Sequence, residues 1–233
     1  MQVDGARILI VGATGVLGGR VAHALASRGA RLALTGRDAD RLDSVARETG
    51  AVCTFKLDVI DTTACGDVVR GAVDDLGGLD AVVVAHGLAA FGAAADTDEA
   101  VAEELLTVNT LAVMALARAA LGQLSDGGVL CVVTAVLADM PMAGMAAYSA
   151  SKAATSAYLS AIRREVRRSG VQVFDVRPPH MDTGLVDRAI TGEPPRLPTG
   201  HDLDDVVEHL VRGLEEGKRE LVVDARGGAL MLR

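Results

Sequence analysis

The chain has 233 residues, a formal net charge of -8, 26 Gly, three Phe, two Tyr and no Trp, and half of it is hydrophobic. That length suits one domain whose core needs neither disulfides nor metal. The acidic balance excludes a general polyanion partner such as nucleic acid, and the shortage of aromatic residues excludes a stacking platform for single strands.

Short aliphatic runs alternate with amphipathic stretches along the whole chain. Residues 7–11 are predicted as the first strand, 16–28 as a helix and 31–35 as the second strand. A helix over 40–48, a strand over 52–57, a helix over 63–76 and a fourth strand over 79–85 follow. Residues 99–124 read as one long helical stretch or two helices, and 129–135 as the fifth strand. A helix over 148–169, a sixth strand over 171–176, a helix over 204–216 and a last strand over 220–224 complete the series. This alternation predicts a single α/β domain over 1–233, a doubly wound parallel sheet of about seven strands with right-handed crossovers and helices on both faces. Residues 178–200 break the rhythm and hold five of the six prolines. They follow the sixth strand and so lie at the carboxyl edge of the sheet, where ligands bind; we read them as a substrate lid, with an ordinary surface loop as the alternative.

Cys53, Cys65 and Cys131 are odd in number and far apart, as expected of reduced thiols rather than disulfides or a metal site. No apolar run approaches 18 uninterrupted residues, and Met1-Gln2-Val3-Asp4 has no basic, apolar leader character. The expectation is a cytoplasmic protein without a membrane partner.

Three motifs carry chemistry. Gly12-Ala13-Thr14-Gly15-Val16-Leu17-Gly18 lies between the first strand and the first helix, where a glycine turn lets a pyrophosphate approach the backbone and the helix N-terminus. Thr35-Gly36-Arg37-Asp38 ends the second strand. An arginine there pairs with a 2'-phosphate, so NADP is favoured; Asp38 blunts that preference and leaves NAD possible. Tyr148 and Lys152 stand at i and i+4, one turn apart on one helix face. An ammonium so close favours the phenolate, and a tyrosine tuned downward exchanges a proton with a carbonyl or alcohol oxygen.

In this order the motifs resemble the short-chain dehydrogenase/reductase family over essentially the whole chain. Leu57-Asp58-Val59 is similar to the family's Asp-Val after strand three, where the Asp contacts adenine. Ala85-His86-Gly87 resembles its Asn-Ala-Gly, and Val108-Asn109 matches the Asn of the long helix. Arg177-Pro178-Pro179-His180-Met181-Asp182-Thr183 resembles the segment that lines the nicotinamide, with Thr183 at the carboxamide position and Pro178 beside the ring. The resemblance implies a Rossmann-like fold and catalysis by Tyr148, Lys152 and Asn109, with Asn109 holding a water that links Lys152 to solvent. It also implies a homodimer or homotetramer packed through the long helices; the Ala-rich stretch 112–120 permits that close approach and equally suits an internal core.

Three departures qualify that reading. The glycine spacing is Gly-x-x-Gly-x-x-Gly, similar to other branches of the family, and Pro179 stands where Gly is usual. The family's substrate-orienting Ser falls here on Ala135, whose methyl cannot donate to a carbonyl oxygen. Thr134 is adjacent but, by strand alternation, replaces the Ser only if the strand end twists. His180, His86, Ser149 and Ser151 are further polar residues near the expected site, and none is a compelling replacement. The leading expectation is an NADP-dependent oxidoreductase acting on a small carbonyl/alcohol pair, hydrophobic or cyclic given Met181, Leu185, Val186 and Ile190. A non-redox isomerase, dehydratase or cyclase on the same scaffold, or a silent NADP-sensing regulator, are the alternatives.

Overall fold

The computed structural model describes residues 1–224 and 228–233. Strand β1 (Arg7–Val11) sets the pattern for the core. Every side chain after Arg7 is buried, and they alternate between two layers, Ile8 and Ile10 on one face, Leu9 and Val11 on the other. An aliphatic run buried on both faces is what a parallel strand requires when helices cover both sides. The same alternation recurs in β2 (Arg31–Gly36), β4 (Leu79–Val84), β5 (Leu124–Val133) and β6 (Gln172–Val176). With β3 (Cys53–Lys56), β7 (Glu220–Val223) and β8 (Leu230–Leu232) they form one sheet in the order β3-β2-β1-β4-β5-β6-β7-β8. All pairings are parallel except β7 with β8.

Helices α1 (Val16–Ala26), α2 (Ala39–Thr49) and α7 (Leu203–Glu216) cover one face through Leu25, Leu42 and Leu210. Helices α3 (Thr62–Leu76), α5 (Ala112–Leu121) and α6 (Ala146–Glu165) cover the other through Val69, Leu116 and Leu159. Aspartates start four helices. Asp38, Asp61, Asp98 and Asp202 each accept a backbone N–H in the first turn of α2, α3, α4 (Glu99–Leu106) and α7, a contact typically worth about 1 kcal/mol. Asp38 is thereby engaged as a cap, accepting from Arg41 N at 3.1 Å.

The predicted elements all occur, with shifted ends. The helix expected over 99–124 breaks into α4, a π-helical turn (Thr107–Leu111) and α5, and the chain enters β5 at Leu124, five residues earlier than predicted. A register irregularity between Leu79 and Ala81 accommodates that early start, in a Ser-Asp-Gly-Gly stretch that reads as a loop by composition. Strand β8 was not expected; three residues joined to β7 by antiparallel pairing are too short to leave a periodicity. Glu99–Leu121 is 23 residues long and apolar enough to cross a membrane by length and composition. In the fold it is a half-buried core helix whose Asn109 and Thr110 hydrogen-bond inside the protein. Of the two roles the Ala-rich stretch suits, Ala112, Ala117 and Ala120 take the internal one and pack in the core. Leu106 and Leu111 are the large apolar residues that this stretch leaves exposed.

At the amino ends of the strands, Asp80 joins three of them. Its carboxylate accepts from Arg7 N, Nε and Nη2 at 2.9, 2.8 and 2.7 Å and from Ser125 Oγ at 2.8 Å. The hydrogen bonds from Arg7 hold this carboxyl far below the usual range, against the opposing effect of burial. Asp80→Asn should lower the unfolding free energy by about 1–3 kcal/mol at pH 7 in urea titrations. Because the folded pKa is depressed, the stabilisation is present above the unfolded value of about 3.9 and is lost as pH falls toward the folded one. The difference between variant and wild type should therefore shrink below about pH 4.

Candidate active site

The carboxyl ends of β1, β2, β4, β5 and β6 open onto one cavity of about 330 Å³. At one end is the glycine turn. Gly12 has φ of +90°, and a Cβ there would lie 2.9 Å from His86 N, so the turn can pass beneath the end of β4 only as glycine. Gly15 precedes α1 in an extended conformation and no side chain caps the helix. The positive end of α1 is thus presented to the cavity, beside Thr14, Gly15, Val16 and Leu17. Gly18 is buried under the carbonyl of Gly12. Past the tip of β2, Arg37 and Arg41 both line the cavity and are both exposed. Arg41 was not singled out from the sequence; its signal was a second cation in the first turn of the helix that Asp38 caps. Asp58 and Val59 follow β3 on the same wall, Asp58 accepting from Ile60 N at 3.2 Å.

In the middle of the cavity are Ala85, His86 and Gly87. Ala85 N donates to Val11 O at 2.8 Å, which extends the β1–β4 pairing by one residue. His86 Nε2 lies 3.0 Å from Val108 O; a carbonyl only accepts, so that nitrogen carries the proton. Burial first, and then the charges of Lys152 and Arg37, lower His86 to about 4 against the effect of its bond to Val108, so the imidazole is neutral at pH 7. A Cβ on Gly87 would sit 3.1 Å from Lys152 Nζ and 3.2 Å from Asn109 Oδ1, which places both functional groups beside this glycine.

Asn109 is 1% exposed. Its amide clamps the loop after β4, accepting from Leu88 N at 2.9 Å and donating to Leu88 O at 3.0 Å, and it also donates to Ser151 Oγ at 3.0 Å. The widened π turn leaves the Asn109 carbonyl for the Thr155 hydroxyl, which donates to it at 2.7 Å. A π-helical turn of this kind is often found at functional sites.

Tyr148 and Lys152 stand on the first two turns of α6, each 5% exposed. Tyr148 packs with Ala89, Phe91, Leu105, Ala135 and Met145 in a separate apolar cluster. Lys152 Nζ donates to Val133 O at 3.3 Å. Burial pushes the Tyr148 phenol up to about 12. Burial also lowers Lys152 to about 8, with the Asp175 carboxylate opposing that shift. The expectation that Lys152 pulls the phenol downward is therefore not met in this structure. Low polarity dominates both groups, and the lysine points its hydrogen bond at a strand carbonyl.

At the end of β5, Thr134 follows the alternation expected of it. Its hydroxyl donates to Asp175 Oδ1 at 2.6 Å beneath α6, and so it does not stand in for the missing serine. The strand end has not twisted; Thr134 keeps the face that alternation gives it, while the methyl of Ala135 joins the apolar cluster around Tyr148. Ser151 donates to Tyr148 O, and Ser149 Oγ is buried without a partner. His180 lines the cavity with its Nε2 3.3 Å from Asp182 Oδ1, and Pro178, Pro179 and Thr183 lie on the same wall. Residues 178–200 are tied to the body by Ile190 N to Ala89 O at 2.8 Å and Phe91 N to Thr191 O at 3.0 Å. Leu185, Val186 and Ile190 from this segment pack on the Tyr148 cluster.

The family profile described as short chain dehydrogenase matches residues 6–193. The chain is 28% identical over 239 residues to dehydrogenase/reductase SDR family member 7B of Danio rerio, covering 94% of this chain and 77% of that protein. It is 32% identical over 181 residues to the cyclic-di-GMP-binding biofilm dispersal mediator protein of Escherichia coli, covering 77% and 74%. Among solved structures, a short chain dehydrogenase from Burkholderia cenocepacia in complex with NADP superposes with a TM-score of 0.83 at 26% identity over 92% of both chains. The chain belongs to the short-chain dehydrogenase/reductase family, a family of oxidoreductases.

Asn109→Leu keeps the size of the side chain but removes both partners of the Leu88 backbone. It should cost about 2–5 kcal/mol of unfolding free energy in denaturant titrations, because buried N–H and C=O groups are left unsatisfied.

Proposed function

We propose that this chain is an NADP(H)-dependent oxidoreductase that interconverts a carbonyl and an alcohol on a small hydrophobic or cyclic substrate. The observation that carries this reading is the single cavity joining the glycine turn, Arg37 and Arg41 at one end to buried Tyr148 and Lys152 at the other. The residues fit the cofactor. An uncapped helix N-terminus suits a pyrophosphate, and two exposed arginines past β2 suit a 2'-phosphate. Asp38, being the cap of α2, competes little with that phosphate. Bound nicotinamide supplies or accepts the hydride.

The protein's part is to orient the substrate and move one proton. Tyr148 Oη gives a proton to the carbonyl oxygen in reduction and takes one from the alcohol in oxidation. A phenol pushed up to about 12 is protonated across the neutral range, the state that reduction uses. Lys152, beside Gly87 and Asn109, would hold the ribose of the nicotinamide half of the cofactor and, when charged, favour the phenolate that reduction leaves behind. Asn109 fixes the loop that carries Gly87 and Leu88. The segment 178–200 acts as the lid: Leu185, Val186 and Ile190 cover Tyr148 and exclude water from the transfer. Ala135 leaves the developing alkoxide with fewer donors than a serine there would provide, and removing one such donor elsewhere costs on the order of a hundredfold in rate. This predicts a slow enzyme rather than an inactive one.

The name of the E. coli relative raises a ligand-sensing role without turnover. Buried Tyr148 and Lys152 favour chemistry, because a sensor has no use for a proton donor held dry beside the cofactor cleft. Tyr148→Phe separates the two readings. It should lower turnover of a ketone panel by about 10²–10⁴-fold while NADPH affinity stays within about twofold; unchanged turnover sinks the mechanism. Oxidation, which needs the phenolate, should rise with pH through the alkaline range, whereas reduction should not need high pH. In a second measurement, Arg37→Ala combined with Arg41→Ala should weaken NADPH binding by about 10–100-fold and leave NADH binding nearly unchanged. Equal losses for both cofactors would remove the assignment of the arginines to the 2'-phosphate.

A further inference from the structure

Behind the cavity lies a buried charged cluster that the proton transfer itself does not use. Asp175 on β6 is 0% exposed. Its Oδ1 accepts from Thr134 Oγ1 at 2.6 Å, and its Oδ2 accepts from Ser156 Oγ at 2.6 Å and from Arg177 Nε at 2.8 Å. Arg177 then spreads its remaining nitrogens outward, Nη1 to Asp139 Oδ2 at 2.8 Å and Nη2 to Glu220 Oε1 at 2.9 Å.

The partners of Asp175 bracket Lys152. Thr134 follows Val133, whose carbonyl accepts the lysine ammonium. Ser156 is four residues after Lys152, on the same face of α6. Arg177 immediately precedes Pro178 and Pro179 on the cavity wall. One carboxylate therefore ties together the strand end, the helix face and the wall segment that surround the lysine.

We propose that Asp175 is a positioning residue for Lys152, fixing the β5 end and the α6 face between which the lysine sits and supplying its buried counter-charge. The groups around the pair are few. Arg177 hydrogen-bonds Asp175, the charge of Arg163 on α6 acts on it through space, and Cys131 lies on the opposite face of β5, its thiol pushed upward by burial so that it is neutral. Tyr148 and His86 stand near Lys152, and both are uncharged at pH 7. Asp175 is accordingly the anion that acts on the lysine, opposing the loss of its proton that burial promotes. Arg177 holds that carboxylate by a direct hydrogen bond, so its positive charge offsets part of the field that Asp175 exerts on the lysine. A carboxylate that only braced the fold would leave the lysine's titration where it is.

The chain has three lysines, Lys56, Lys152 and Lys218, so selective ¹³Cε-lysine labelling gives a spectrum in which Lys152 can be identified from its loss in Lys152→Arg. Asp175→Asn, which preserves the shape of the side chain, should lower the Lys152 titration midpoint by about one pH unit. Arg177→Gln should raise it, because the guanidinium no longer offsets the carboxylate's charge. A folded Asp175→Asn protein whose Lys152 titrates as in the wild type overturns the proposal. If that variant does not fold, Arg177→Gln decides: an upward shift supports the proposal and an unchanged midpoint overturns it. The consequence for function rests on the reductase reading: the alkaline limb of NADPH binding should move to lower pH in Asp175→Asn. Absence of NADPH binding by the wild type would defeat that reading, while the lysine titration still decides the role of Asp175.

Discussion

Every functional group in this protein is placed by one constraint, a parallel sheet buried on both faces. The central strands β1, β4, β5 and β6 have aliphatic side chains packed above and below over most of their length. Polar chemistry is therefore pushed to the strand ends. At the amino ends the solution is structural, with Asp80 joining β1, β4 and β5 through Arg7 and Ser125. At the carboxyl ends the strand order reverses between β1 and β4 and leaves the crevice in which the glycine turn, His86, Thr134 and the Pro178–Pro179 segment converge.

Burial also governs the electrostatics of the crevice. Tyr148 and Lys152 lie in surroundings poor enough in water that each is driven toward its neutral form, the phenol upward and the ammonium downward. A helical i, i+4 spacing brings two side chains to one face, but it does not decide where the ammonium points; here it points to Val133 O. His86 is neutral for the same reason, and its proton is fixed on the nitrogen that meets Val108. The site is apolar around the phenol, where Ala135 brings a methyl in place of a hydroxyl.

The buried cluster around Asp175 is the counterweight to that dryness. Isolated charges are costly inside a protein, and Arg177 is tolerated because three carboxylates and a fixed geometry meet it. Thr134 lines the crevice, but its hydroxyl is taken up by this cluster. The same alternation that buries Val132 beneath α5 and α6 carries Thr134 to the α6 face of the sheet. A residue one position from the expected catalytic serine thus has its hydroxyl bound to Asp175.

From its sequence alone, this protein's architecture and the position of its crevice were readable. Period-two aliphatic runs alternate with helical ones, and the glycine turn, Arg37 and the Tyr148–Lys152 spacing fall after the right strands. Those signals are local, each written within a dozen residues. What only the tertiary structure decided involves contacts between residues far apart in the chain. Leu230–Leu232 became a strand by pairing with β7, Arg41 joined Arg37 at the cavity, and residues 178–200 were packed onto the cluster of Phe91, Met145 and Tyr148. The charge states of Tyr148 and Lys152 were decided there too, because desolvation depends on everything folded around a group, and no spacing along the chain encodes it.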